Sequence, residues 1–137
     1  MTDINAISIE LTHWHRKIVA AAITLYAEHL ERLSKRAETL ALTEDAIRYH
    51  RTAERLTEEL AQPLTYGTPV QFFTRDCSAI VTGLEMLRDT CIKMARAVKT
   101  IPLGDAGDRV EIELDALVNV IVDDIAPKFQ DQGSLPL

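Results

Sequence analysis

Apolar residues between Val70 and Ile101 recur at an unbroken spacing of three or four: Val70, Phe73, Cys77, Ile80, Leu84, Leu87, Cys91, Met94, Val98 and Ile101. No strand or loop keeps that rhythm, which places all ten on one face of a single long helix covered by a neighbour. The first stretch of the chain repeats it at Ile4, Ile7, Leu11, Trp14, Ile18, Ala21 and Leu25. The stripe then moves over by one to Tyr26, Leu30, Leu33, Ala37 and Leu40, as a 3.6-residue helix drifts against a 3.5-residue pattern. Ala46, Tyr49, Ala53, Leu56 and Leu60 predict a shorter second helix. Val110, Leu114, Leu117, Ile121 and Ile125 predict a last one, although Val110, Ile112 and Leu114 also alternate with acids as a strand would.

Local signals set the expected boundaries. Thr2 or Asp3 suits the first N-cap, and Thr43, followed by Glu44 and Asp45, suits the second, so a break is expected near Thr39–Thr43; one uninterrupted helix is the competing reading. Gln62 to Gly67 reads as a turn, after which Thr68, Pro69 and Gln71 form a capping box that opens the third helix. Ile101-Pro102-Leu103-Gly104 stops it, and Pro127 is expected to stop the fourth, leaving 128–137 as a loose tail on a single domain of residues 1–127. The fold class is therefore all-α: an antiparallel four-helix bundle with coiled-coil-like packing, two helices of about 30 or more residues and two nearer 20. Unequal lengths leave seam residues uncovered, around Phe72, Phe73, Met94 and Val98. A second copy of the chain is the expected cover, with a dimer favoured.

Charge changes this picture in one region. The formal net charge is −6, which argues against a nucleic-acid binder, and it all resides in the last element. Residues 1–104 are balanced, whereas seven acids lie between Asp105 and Ala126 against Arg109 alone. Glu111, Glu113, Asp115, Asp123 and Asp124 are thus candidates for docking a protein partner with a basic surface. Asp123 and Asp124 fall at the expected helix C-terminus, where the helix dipole disfavours acids. Cys77 and Cys91, fourteen residues apart on one helix, are about 21 Å apart and cannot pair, so small buried thiols are expected. The start MTDINAISIE has no basic and apolar leader pattern, and the longest apolar run, Ile18–Ala27, is half a membrane span. A cytoplasmic protein without a membrane segment is expected.

Candidate chemistry is thin. Glu10 and His13 have Glu-x-x-His spacing, but a di-metal bundle needs that motif twice; no metal or other cofactor is expected, and Trp14 is read as core with His13 and His15 beside it. Glu28 and Glu31 supply the first half of the Glu-x-x-Glu, Glu-x-x-Asp pair with which all-helical nucleotide pyrophosphohydrolases hold magnesium, yet no Glu-x-x-Asp follows. No Gly-rich phosphate loop or serine elbow occurs. Two functions remain. One is a non-catalytic interaction module that binds, inhibits or scaffolds. The other is a binder of, or enzyme for, a small anionic ligand such as a nucleotide or phosphate, with Arg48, Tyr49, His50, Arg51 and Arg55 as its polar groups.

Overall fold

A computed structural model describes residues 6–133 of the chain, with side chains through Gln130. It is mostly helical: four helical rods and one two-stranded sheet. The sheet is β1 (Ala6–Ile7) against β2 (Phe72–Phe73), antiparallel, with Ala6 opposite Phe73 and Ile7 opposite Phe72. The first rod is α1 (His13–Thr39), capped by Thr12, whose hydroxyl accepts from the His15 amide at 3.1 Å. Residues 1–5, including the expected caps Thr2 and Asp3, lie outside the described residues.

The expected break after Thr39 is present, and its cause is backbone geometry. Ala41 adopts a positive φ of 61°, and α2 (Thr43–Leu56) starts behind Leu42 without any side-chain cap; Thr43, expected as the cap, is already helical. The third rod, α4 (Thr74–Lys99), starts later than the capping-box reading placed it, because Phe72 and Phe73 are extended in the sheet. Gln71 serves that sheet instead, its side-chain amide donating to Ile7 O at 3.1 Å and Phe72 O at 3.0 Å.

Prolines expected as stops are carried inside the second and fourth rods. α2 passes into a π turn (Thr57–Ala61) and then α3 (Gln62–Tyr66), which contains Pro63. α5 (Asp105–Asn119) passes into a second π turn (Val120–Ile125) and then α6 (Ala126–Gly133), which contains Pro127. In both cases the residue before proline bonds five residues back, Gln62 N–H to Thr57 O and Ala126 N–H to Ile121 O. Proline lacks an N–H and its ring strikes the carbonyl four residues back, so an extra residue in the preceding turn moves that carbonyl aside. The strictly α-helical pieces do alternate, 27 and 26 residues against 14 and 15, but the second and fourth rods run on to Tyr66 and Gly133 and so come close to the central pair in length, against the expected contrast of long and short helices. The second rod ends at Gly67, left-handed at φ 77°.

The expected loose tail is corrected by the same continuation. Phe129 on α6 is fully buried and meets Phe72 edge-on, ring centroids 5.4 Å apart. Lys128 Nζ donates to Glu10 O at 2.7 Å, tying α6 to the segment before α1. Residues 134–137 lie outside the described residues.

At the centre α1 packs on α4, with the second rod against α1 and the fourth against α4. The central pair approaches closely because Gly83 has no side chain: a Cβ there would lie 2.4 Å from Ala22 O. Around this crossing the core gathers Val19, Ile23, Ile80 and Leu84 with Leu56, Leu60 and Leu64 from the second rod and Ile121, Ile125 and Phe129 from the fourth. Cys77 and Cys91 are buried free thiols, and burial raises both above the ordinary thiol pKa, so they are unreactive packing groups. The last element, ambiguous in sequence, is helical.

Gly83→Ala should therefore lower stability by about 1–3 kcal/mol, because the overpacking against a backbone carbonyl outweighs the roughly 1 kcal/mol that alanine gains in helix propensity. A thermal melt equal to or above that of the wild type would contradict the close crossing. Phe129→Ala should cost about 3–5 kcal/mol as a core truncation, whereas a tail residue would cost nothing measurable by denaturant titration.

Candidate functional site

Three surface regions gather the side chains that could act on another molecule. The largest is an apolar groove of about 510 Å³ between α1 and α5, walled by Trp14, Lys17, Ile18 and Ala21 on one side and Glu113, Ala116 and Leu117 on the other, with Leu87 from α4 between them. Trp14 is not core: it is 52% exposed, because α1 begins at His13 and its first turn stands over this groove. His15, beside it, has a buried Nδ1 without a hydrogen-bond partner among the described residues. Met94, farther along α4, is 50% exposed.

The second region is a cleft of about 310 Å³ between α1 and the second rod, lined by Glu28 and Glu31 on one side and His50, Glu54 and Glu58 on the other. His50 bridges the walls: Nδ1 lies 2.8 Å from Glu31 Oε1, and Nε2 lies 3.3 Å from Glu54. The hydrogen bond and charge of Glu31 raise the His50 pKa above the ordinary imidazole value, with Glu54 and Glu38 adding to it. Four carboxylates in one cleft repel an anion. Among the described residues no group of three or more His, Cys, Asp or Glu is arranged to hold a metal ion.

The third region is a small pocket of about 240 Å³ at the start of α4, with Asp76 in its wall. Asp76 is 1% exposed, and Arg55 Nη1 stands 3.0 Å from its Oδ1, close enough for charge pairing but not aligned as a hydrogen bond. Arg75 lies over the Phe73 ring at 5.4 Å and approaches Asp76 at 3.8 Å.

The arginine stripe of the second helix is thus dispersed. Arg48 pairs with Asp45 at 3.1 Å and stacks on Tyr49, Arg51 is exposed, and Arg55 turns to Asp76 on another helix. The five residues proposed for an anion do not converge on one concavity. The acids of the fourth rod fare differently. Glu111 pairs with Lys99 at 3.3 Å, Glu113 lines the groove, and Asp115, Asp123 and Asp124 are exposed. Asp123 and Asp124 lie within a π turn in mid-rod, not at a helix C-terminus, so the dipole argument for them does not apply.

Of the residues expected at an oligomer interface, Phe72 is buried in the core, Phe73 is half-buried beneath Arg75, Val98 is half-buried, and Met94 alone is openly exposed. Periodicity by itself places Trp14 in the core, whereas Leu117, in the same groove, does pack against the core as its stripe predicts. The signal that could move Trp14 to the surface is the start of α1, which no sequence feature stronger than Thr12 marks. Among the described residues, no helix is long and apolar enough to cross a membrane. Comparison with known protein families, with curated proteins and with solved structures finds no match to this chain.

Removing Arg55 strands a buried carboxylate. Arg55→Ala should cost about 2–4 kcal/mol, somewhat below a fully buried pair because the arginine is one-third exposed, and Arg55→Met with Asp76→Leu should cost less than Arg55→Ala alone. A double variant less stable than the single one would mean the pair itself is strongly favourable. For His50, proton NMR titration should place the pKa above that of a free imidazole, and Glu31→Gln should lower it. Because the folded pKa is the higher one, the contribution of His50 to stability is complete below the ordinary value of 6.5 and disappears as pH rises through the raised one.

Proposed function

We propose that this protein is a non-catalytic interaction module of the cytoplasm, an antiparallel bundle with coiled-coil-like seams that pairs with a second copy of itself and offers the acids of its fourth rod to a basic protein surface. The observation that carries this reading is the open apolar groove at Trp14. A large aromatic left half exposed in an apolar concavity is the ordinary make-up of an interaction site, and it is costly to leave to water. Two further observations support it. Of the polar groups that could bind an anion, Arg48, His50 and Arg55 are turned onto partners within the chain, Asp45, Glu31 and Asp76. Asp115, Asp123 and Asp124 form no ion pair among the described residues and are left as an acidic face that attracts an oppositely charged surface across about a Debye length. Two buried free thiols support a reducing compartment.

Light scattering across a concentration series tests the self-association. Masses should rise above the 15.3 kDa of one chain at micromolar concentration, with tryptophan emission shifting to the blue as Trp14 loses water. A 15.3 kDa species throughout would remove the reading. Leu84→Glu, in the core, should unfold the chain, whereas Trp14→Asp should give folded monomer, and that contrast separates core from interface.

A further inference from the structure

The two walls of the Trp14 groove carry opposite charge. Lys17 stands on the α1 wall and Glu113 on the α5 wall; both are exposed, and among the described residues neither takes part in an ion pair. Everything else in the lining is apolar. A single copy therefore leaves one cation and one anion unpaired on either side of an apolar trough.

Such a surface is complementary to itself in one orientation only. Two copies meeting face to face are related by a two-fold axis lying in the plane of contact. If that axis runs along the groove it exchanges the walls, so α1 of each copy faces α5 of the other and Lys17 meets Glu113 twice. If it runs across the groove, α1 faces α1 and α5 faces α5, which sets Lys17 against Lys17 and Glu113 against Glu113. Like charges opposed at an apolar contact disfavour the second arrangement. We infer that the groove is the seat of a second copy of this chain, in a two-fold dimer whose axis runs along the groove, with Trp14 as the apolar anchor and reciprocal Lys17–Glu113 pairs fixing the orientation. The inference rests on the self-association proposed above and adds to it the surface, the axis and the pairing.

Sedimentation of the full chain at several concentrations tests it with two charge reversals. Lys17→Glu alone opposes two glutamates at each contact, and Glu113→Lys alone opposes two lysines, so each variant by itself should dimerise at least about tenfold more weakly than the wild type. An equimolar mixture of the two variants restores both pairs in the heterodimer. The glutamate introduced in one copy meets the lysine introduced in the other, and at the second contact the native Lys17 meets the native Glu113. The mixture should regain the wild-type dimer mass. Both positions are exposed, so each variant should melt as the wild type does; Lys17→Gln and Glu113→Gln should weaken the dimer in the same sense by less. Trp14→Ala should weaken it by more than about tenfold without changing the fold.

A wild-type dimer indifferent to all these changes would overturn the groove as its seat while leaving self-association intact. Lys17→Glu that dimerises by itself as tightly as the wild type, and more tightly still when mixed with wild type, would place the axis across the groove and overturn the pairing. A wild type that stays monomeric removes this inference together with the reading beneath it.

Discussion

The approach of α1 to α4 at Ala22 and Gly83 is the constraint on which the rest of the structure depends. Two helices this close cannot both carry side chains at the crossing, since a Cβ on Gly83 would fall against the Ala22 carbonyl. The small pair lets the larger residues on either side, Val19 and Ile23 on α1, Ile80 and Leu84 on α4, join one buried cluster. Each central helix then has one remaining apolar flank, and the outer rods fill those flanks from opposite sides. A wider crossing would displace the central side chains against which the outer rods set Leu56 and Ile125, so a change at one glycine is felt across the whole core.

The chain achieves this with two units of one plan: a helix of 26 or 27 residues, a helix of 14 or 15, a π turn, a proline two residues past that turn, and a short helical end. Ala22 and Gly83 occupy the same position along their respective helices, so the crossing relates the units to each other. The π turn is what allows a rod to continue past its proline. It brings Leu64 and Phe129, both beyond a proline, into the core, where Phe129 closes over Phe72 at the end of the sheet.

These features mark where a sequence reading succeeds and where it does not. The four rods are legible because each keeps an apolar stripe at helical spacing, and on α4 Cys77, Ile80, Leu84 and Cys91 of that stripe are buried, with Leu87 between them half-buried at the groove. Periodicity says which face is apolar but not whether a neighbour reaches it, so it cannot separate the exposed Trp14 and Met94 from the buried members of their stripes. Proline reads as a stop because its effect in a regular helix is well defined; a π turn ahead of it has no residue signature, which hides Leu64 and Phe129. The capping box at Thr68, Pro69 and Gln71 is locally sound but loses to a tertiary demand, the pairing of Phe72 and Phe73 with Ala6 and Ile7. The candidate site fares worse than the fold, since helical spacing puts Arg55 beside Arg48 and Arg51 while the partner that claims it, Asp76, is twenty-one residues away on another helix.

What distinguishes the two units is how their second rods use charge. In the first unit most of the charges pair within the molecule, Arg48 with Asp45, His50 with Glu31 and Glu54, Arg55 with Asp76, and Arg51 is left exposed. Paired charges largely cancel at a distance, so this half projects little field. In the second unit Glu111 alone of the candidate docking acids is paired, to Lys99, and the others face solvent or the groove. Unpaired acids of one sign keep a field that a partner senses before contact, within the screening length of the surrounding salt. Glu113 belongs to both surfaces, since it lies on the acidic rod and on the wall of the Trp14 groove. In the dimer proposed above, Glu113 is the acid paired with Lys17, while Asp123 and Asp124 lie outside the groove lining, so the proposed self-association and the proposed docking of a basic partner draw on separate acids of the same rod.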